Sequence, residues 1–328
     1  MGRAVTALLS LGFLAACGVY FVFLFDAPDE VDPAPIVIAS ICFFALCGYA
    51  ASFAAEYYPL RATSMTRASL WDVFAVATLA NLSSYLGIIV GMPTRVALWR
   101  RVLGVRVADS VALLAYLTLI GTALPGLIAA VTLARETPLL AALCGALGLA
   151  LAGPLTWPLI GDRVRAHGGL RWLAFHLPRR VTQRVSSLTE ATFGFAPALT
   201  LRLAAVYGLW FLASAAQTAW TLDLFHESAP FSLLLGAQSA SFLLGRLSAL
   251  PLGLGVRDAS LVALLTSFGV PAEVAISVAA IDRASSLLTR LLLAGVAMAL
   301  VAAGVASLNR LALEVDEIQP HSRTDPLK

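Results

Sequence analysis

The chain has 328 residues, 59% of them hydrophobic and only 12% charged, with a mean hydropathy of +0.86. Soluble domains carry about 25% charged and roughly 45–50% apolar residues, so the composition excludes a soluble catalytic domain, a secreted disulfide scaffold, a coiled coil and a disordered chain. A formal net charge of +3 gives no basis for nucleic-acid binding, and a multispan membrane protein remains.

Apolar runs fall at about residues 4–25, 34–55, 71–92, 108–133, 138–160, 203–222, 231–252 and 272–308. Each is too long for a barrel strand of about 10 residues, and helices satisfy their backbone groups internally, so the expected fold is an all-α polytopic membrane protein with about eight hydrophobic helical segments. Two targeting signals at the amino terminus are set aside. Leu14-Ala15-Ala16-Cys17 resembles a lipoprotein cleavage box, but the apolar run continues through Phe25; Gly2 with Thr6 fits only a short myristoylation pattern. The domain reading is a single membrane domain over residues 1–310, with a basic loop at 162–200 inside it, and a polar tail at 311–328.

Orientation follows from the arginines, which tend to stay in cytoplasmic loops. Residues 162–190 hold Arg163, Arg165, Arg171, Arg179, Arg180 and Arg184, whereas the connections bearing Asp26, Asp29, Glu30 and Asp32, and Asp223 and Glu227, are acidic. The amino terminus and the central loop are therefore expected on the cytoplasmic side of the cell membrane. A full crossing by residues 71–92 would carry Arg95, Arg100, Arg101 and Arg106 outside. The simplest repair is a re-entrant hairpin there, broken near Asn81-Leu82-Ser83-Ser84 and helped by Gly87, Gly91 and Pro93, with a second excursion by residues 231–252 from the other side. Gly91-Met92-Pro93-Thr94 followed by Gly104-Val105 parallels Gly255-Val256-Arg257-Asp258 followed by Gly269-Val270, an internal repeat that opposite entry would make an inverted one.

Six charges lie in apolar surroundings between Arg246 and Arg290: Arg246, Arg257, Asp258, Asp282, Arg283 and Arg290. At roughly 2.5–3.5 kcal/mol each at a helix centre, few can face lipid, and they need pairing, a wet cavity or an interface. Arg246 and Arg257 have the alternative of snorkelling to a membrane edge. Pro251-Leu252-Gly253-Leu254-Gly255 reads as a helix break. A short helix follows from Asp258 to Phe268, Gly269 stops it, and Pro271 suits the first position of the next helix. Arg257, beside a helix start with free donors, is a candidate for a phosphate or carboxylate, with Asp258 expected to hold it in place. Arg283 and Arg290 share a face of the last helix, and Asp282 points elsewhere.

The run Pro251-Leu252-Gly253-Leu254-Gly255-Val256-Arg257-Asp258, then Gly269-Val270, then Arg283, resembles the lysylphosphatidylglycerol synthase transmembrane family, the flippase-like domain. The first half is similar through Gly91 and Arg95, although Met92 stands where the family has an acid, and the helix after it lacks the family's charged pair. The resemblance implies a membrane protein that moves polar lipids between leaflets, without the soluble aminoacyl-transferase domain of the family's larger members.

His167, His176, His226 and His321 are scattered, no cysteine pair has zinc spacing, and no Walker loop is present, so no metal, cofactor or enzymatic activity is expected. Cys17, Cys42, Cys47 and Cys144 lie in apolar runs as small hydrophobes. Trp71, Trp157, Trp210 and Trp220 suit an interfacial belt, while Gly145, Gly148 and Gly153 suit close helix packing within one chain or in a homo-oligomer. The leading expectation is a lipid translocase in which Arg257, Arg283, Arg290 and Arg95 guide an anionic phospholipid head through a groove between two broken-helix repeats. The breaks fall at Gly91, Pro93, Pro251, Gly253, Gly255, Gly269 and Pro271. The alternatives are a noncatalytic subunit docking a cytoplasmic glycosyl- or acyl-transferase through its basic loop, and an intramembrane polar-lipid transferase.

Overall fold

The computed structural model describes residues 35–62, 66, 68–83, 88–165, 197–248 and 255–304. All regular structure among them is helical: α1 (Pro35–Ala62), α2 (Leu70–Ser83), α3 (Ile88–Leu103), α4 (Val107–Thr132), α5 (Pro138–Arg165), α6 (Pro197–Leu224), α7 (Phe231–Leu247), α8 (Val256–Ser267) and α9 (Ala272–Ala302). Three helices among the described residues, Val107–Thr132, Ala198–Leu224 and Ala272–Ala302, are long and apolar enough to cross a membrane. The run at residues 4–25, the loop from 166 to 196 and the tail lie outside the described residues.

Helix boundaries follow local chemistry. The Ser69 and Asp72 side chains cap α2 reciprocally: Ser69 Oγ accepts from the Asp72 amide at 3.1 Å, and Asp72 Oδ2 accepts from the Ser69 amide at 3.0 Å. α8 ends on Gly269, whose φ of +94° suits a residue without a Cβ. There the Val270 amide donates to Leu265 O and the Gly269 amide to Thr266 O, which satisfies two terminal carbonyls. Val270 and Leu265 are both buried in the same apolar cluster. Gly104, with φ +69°, occupies the matching place between α3 and α4, and the following Val105 is likewise buried.

Two expectations about breaks need correcting. Gly91 and Pro93 lie inside α3 rather than at a break, and residues 84–87, between α2 and α3, lie outside the described residues. A proline costs one backbone bond, a loss the bundle around α3 absorbs, so the chain stays helical through Leu103 and carries Arg95, Arg100 and Arg101 on the same helix. Pro271 is the residue before α9 rather than its first helical position, Gly255 with φ +81° precedes α8, and Pro251 and Gly253 lie outside the described residues. α1 also runs to Ala62, well beyond residue 55, and so takes in Glu56.

α4 is the hub: it packs against α1, α3, α5, α6 and α7, while α9 packs against α1, α2, α6 and α8. α2 and α3 pack against each other, as do α7 and α8. At 14, 16, 17 and 12 residues these four helices span about 18–26 Å, short of a hydrocarbon core of about 30 Å. One apolar cluster joins Leu60, Trp99, Leu113, Leu117, Leu203 and Tyr207; a second joins Leu133, Leu222, Leu243, Leu261, Leu265 and Val278. Cys47 and Cys144 are free thiols.

The α4–α5 contact depends on glycine. A Cβ at Gly126 would stand 2.7 Å from Cys144 O and 2.9 Å from Gly148 Cα, and one at Gly148 would stand 2.9 Å from Ala123 O. These obstacles are backbone and cannot rotate away, so the two helices must separate. Gly126→Ala is expected to lower stability by about 1–3 kcal/mol, read as a fall in thermal unfolding temperature in detergent. Gly208→Ala, with open space around its Cβ position, should be nearly neutral.

Candidate functional site

All nine described helices contribute to a cavity of about 430 Å³, α5 through Leu151. Arg95, Arg246, Arg257, Arg283 and Arg290 line it together with Glu56, Asn81, Thr122, Tyr207, Trp210 and Ser286. The four arginines expected from sequence therefore line one cavity, and a fifth, Arg246, lines it with them.

The acids are arranged differently from expectation. Asp258 does not hold its neighbour Arg257; its Oδ1 and Oδ2 accept from Arg283 Nε at 3.0 Å and Nη2 at 2.9 Å. Arg257 Nη2 instead donates to Asp282 Oδ2 at 2.8 Å. Successive helical residues point about 100° apart, so neighbours on α8 reach different partners on α9. The outcome is a crossed pair of bridges, Arg257 to Asp282 and Asp258 to Arg283, that ties α8 to α9. Asp258 Oδ2 also accepts from the Gly255 amide at 3.3 Å, so the chain's own carboxylate sits at the helix start that sequence offered to a ligand.

A buried polar ribbon backs these bridges. Gln217 Nε2 donates to Ser285 Oγ at 2.5 Å, Gln238 Nε2 to Thr218 Oγ1 at 2.7 Å, and Arg257 Nη2 to Gln238 Oε1 at 3.4 Å. These contacts fix the Arg257 guanidinium from two sides, whereas its Nε is buried without a hydrogen-bond partner.

On the opposite wall Arg95 Nη2 donates to Asn81 Oδ1 at 2.6 Å and lies 3.4 Å from Glu56 Oε1. Glu56 Oε2 and Arg95 Nε are buried without a partner. Arg246 has no carboxylate in salt-bridge range among the described residues. Its Nη1 donates to Thr122 Oγ1 at 3.1 Å, its guanidinium lies 4.9 Å from the Phe242 ring centroid, and that ring meets Trp210 edge-on at 4.8 Å. Gly121 makes room for this arrangement: a Cβ there would come within 3.2 Å of Arg246 Nη1 and 3.3 Å of the Tyr207 ring. Among the described residues, five guanidiniums line the cavity, and the carboxylates of Glu56, Asp258 and Asp282 lie in salt-bridge range of Arg95, Arg283 and Arg257. Such a cleft concentrates anions.

Beside this cavity lies a larger groove of about 1070 Å³ between α3 and α4, lined mainly by apolar side chains such as Val96, Val111 and Ala115, with Arg100 and Arg101 also on its wall. Met92, Leu114, Thr118 and Leu119 line both volumes.

Sequence reasoning missed Glu56, Asn81, Gln238 and the role of Arg246. Glu56 stands four residues after Ser52 and hence on one helical face with it, a spacing that could have flagged a polar stripe once the helix was extended. Trp210, one of the tryptophans of the expected interfacial belt, lines the cavity. Among the described residues no group of three or more His, Cys, Asp or Glu side chains could hold a metal ion. No protein-family model and no curated protein matches the chain.

Proposed function

We propose that the protein is a membrane lipid translocase that admits an anionic headgroup to the arginine-lined cavity and leaves the acyl chains in the adjoining apolar groove or the surrounding lipid. The observation that carries this reading is the junction of two unlike volumes, one ringed by five guanidiniums and the other mainly apolar, through a shared wall. A soluble anion needs only the first; an amphiphile uses both. The resemblance to the lysylphosphatidylglycerol synthase transmembrane family supports the same substrate class, a phospholipid or related polar lipid.

In this reading α2/α3 and α7/α8 are re-entrant hairpins of an inverted repeat in an eight-span protein of the cell membrane, with the amino terminus and basic loop cytoplasmic. Their short helices and the matching Gly104-Val105 and Gly269-Val270 elbows support this arrangement. The protein transforms no substrate covalently.

Reconstitution into vesicles containing fluorescent phosphatidylglycerol or a neutral lipid analogue tests the proposal. The expected result is accelerated exchange between leaflets, at least several-fold faster for the anionic lipid. Folded protein that accelerates neither would overturn it.

A further inference from the structure

The three carboxylates at the cavity are held unequally. Asp258 accepts from Arg283 Nε, Arg283 Nη2 and the Gly255 amide, and Asp282 accepts from Arg257 at 2.8 Å. Glu56 has an ion contact at 3.4 Å with Arg95, whose Nη2 makes its short bond to Asn81, and the Asn81 side chain also stands beside the carboxylate, while Glu56 Oε2 is buried without a hydrogen-bond partner by distance and angle. Its side chain is 5% exposed. Glu56 is therefore a deeply placed carboxylate with one loosely engaged counter-charge, in a wall that an incoming anion would contact.

We infer that Glu56 is a proton-coupling site: an anionic headgroup that engages Arg95 displaces Glu56, and the released carboxylate takes a proton from the cavity. A buried carboxylate stripped of its cation is strongly disfavoured, and protonation is the usual relief. The proton moves from water in the cavity to Glu56, and it leaves when the headgroup leaves and Arg95 returns. Among the described residues, the charged and titratable groups that line the cavity with Glu56 are Arg95 from α3, Tyr207 from α6, Arg246 from α7, Arg257 from α8 and Arg283 and Arg290 from α9, and Tyr49 of α1 is bonded to Thr78. α2 presents the uncharged Asn81, and α4 lines the cavity with Thr118, Thr122 and leucines. Arg95 is the cation whose charge bears on Glu56, so an anion that engages Arg95 weakens its hold on the carboxylate. By reciprocity, protonation of Glu56 tightens headgroup binding by the factor that headgroup binding favours protonation.

This inference rests on the translocase reading and adds its driving force. Moving one proton with one singly charged lipid is electroneutral, so a pH difference sorts the lipid and a membrane potential does not. The experiment uses proteoliposomes with fluorescent phosphatidylglycerol under an imposed pH difference or a potassium diffusion potential. Wild-type protein is expected to enrich the label about tenfold per pH unit in the leaflet facing the alkaline side, with no response to potential. Glu56→Gln should respond to potential rather than pH, whatever its rate, and Glu56→Ala serves if that variant does not fold. Wild-type sorting by potential rather than pH would overturn the coupling and leave the translocase standing. Retained pH sorting in the variant would overturn the assignment to Glu56, and absence of any wild-type exchange would overturn both.

Discussion

Asp282→Ala is expected to destabilise the protein by about 3–5 kcal/mol, the cost of leaving a buried charge without its partner. The Arg257 and Asp282 side chains are 13% and 6% exposed, so solvent offers Arg257 little compensation once the carboxylate is gone. Replacing both partners, Arg257→Met with Asp282→Leu, removes two desolvation costs together and should recover most of the loss. Unfolding in detergent under denaturant measures both variants. A single substitution with an effect below about 1 kcal/mol would indicate that the bridge is solvated, as exposed bridges are. The Arg106–Asp109 bridge is a suitable control: Arg106 is 83% exposed, and removing Asp109 should change stability little.

The second large effect is expected at Arg246. Its guanidinium has threonine and phenylalanine contacts but no bridge to an acid among the described residues, so in the proposed translocase it would engage a headgroup without first breaking an ion pair. Arg246→Ala removes a charge-assisted contact of about 1.5–3 kcal/mol, or roughly a tenfold to hundredfold loss in transport of anionic lipid at subsaturating concentration. Exchange of a neutral analogue should change much less. Arg246→Lys keeps the charge but loses the planar fork and its stacking on Phe242, and should fall between. The vesicle exchange assay reads all three. Equal losses for anionic and neutral lipid would mean that Arg246 supports the wall rather than the ligand.

Arg257 is a less direct probe than sequence alone implied. Its removal frees Asp282 inside the bundle, so structural damage and lost ligand contact arrive together. Arg246 separates the two.

How far the sequence could be read depended on whether the deciding physics was local. The cost of burying Arg257, Arg283 and Arg290 is a property of each residue, and from it their convergence on one polar site could be anticipated. The elbow at Gly269 was also legible, because a helix stop of this kind is written in a few consecutive residues. The crossed bridges were not. Each joins residues 25 positions apart, and which acid meets which arginine depends on the rotation and register of α8 against α9. Glu56 was lost for a related reason: an apolar run ends at the first acid, whereas the helix ends where tertiary partners stop supporting it. Arg95 and Asn81, on helices distant in sequence, allow α1 to continue past Glu56. Pro93 misled in the other direction, since a bundle can tolerate one missing backbone bond that an isolated helix could not.

The guanidinium groups lining the cavity have a consequence for its resting state. A cleft lined by one sign of charge gathers mobile counter-ions, so in the proposed translocase chloride, sulfate or phosphate in the medium would compete for the space a headgroup claims. Rising ionic strength then acts twice, by screening the approach of an anionic lipid and by filling its seat, and the buffer becomes a reactant rather than a background.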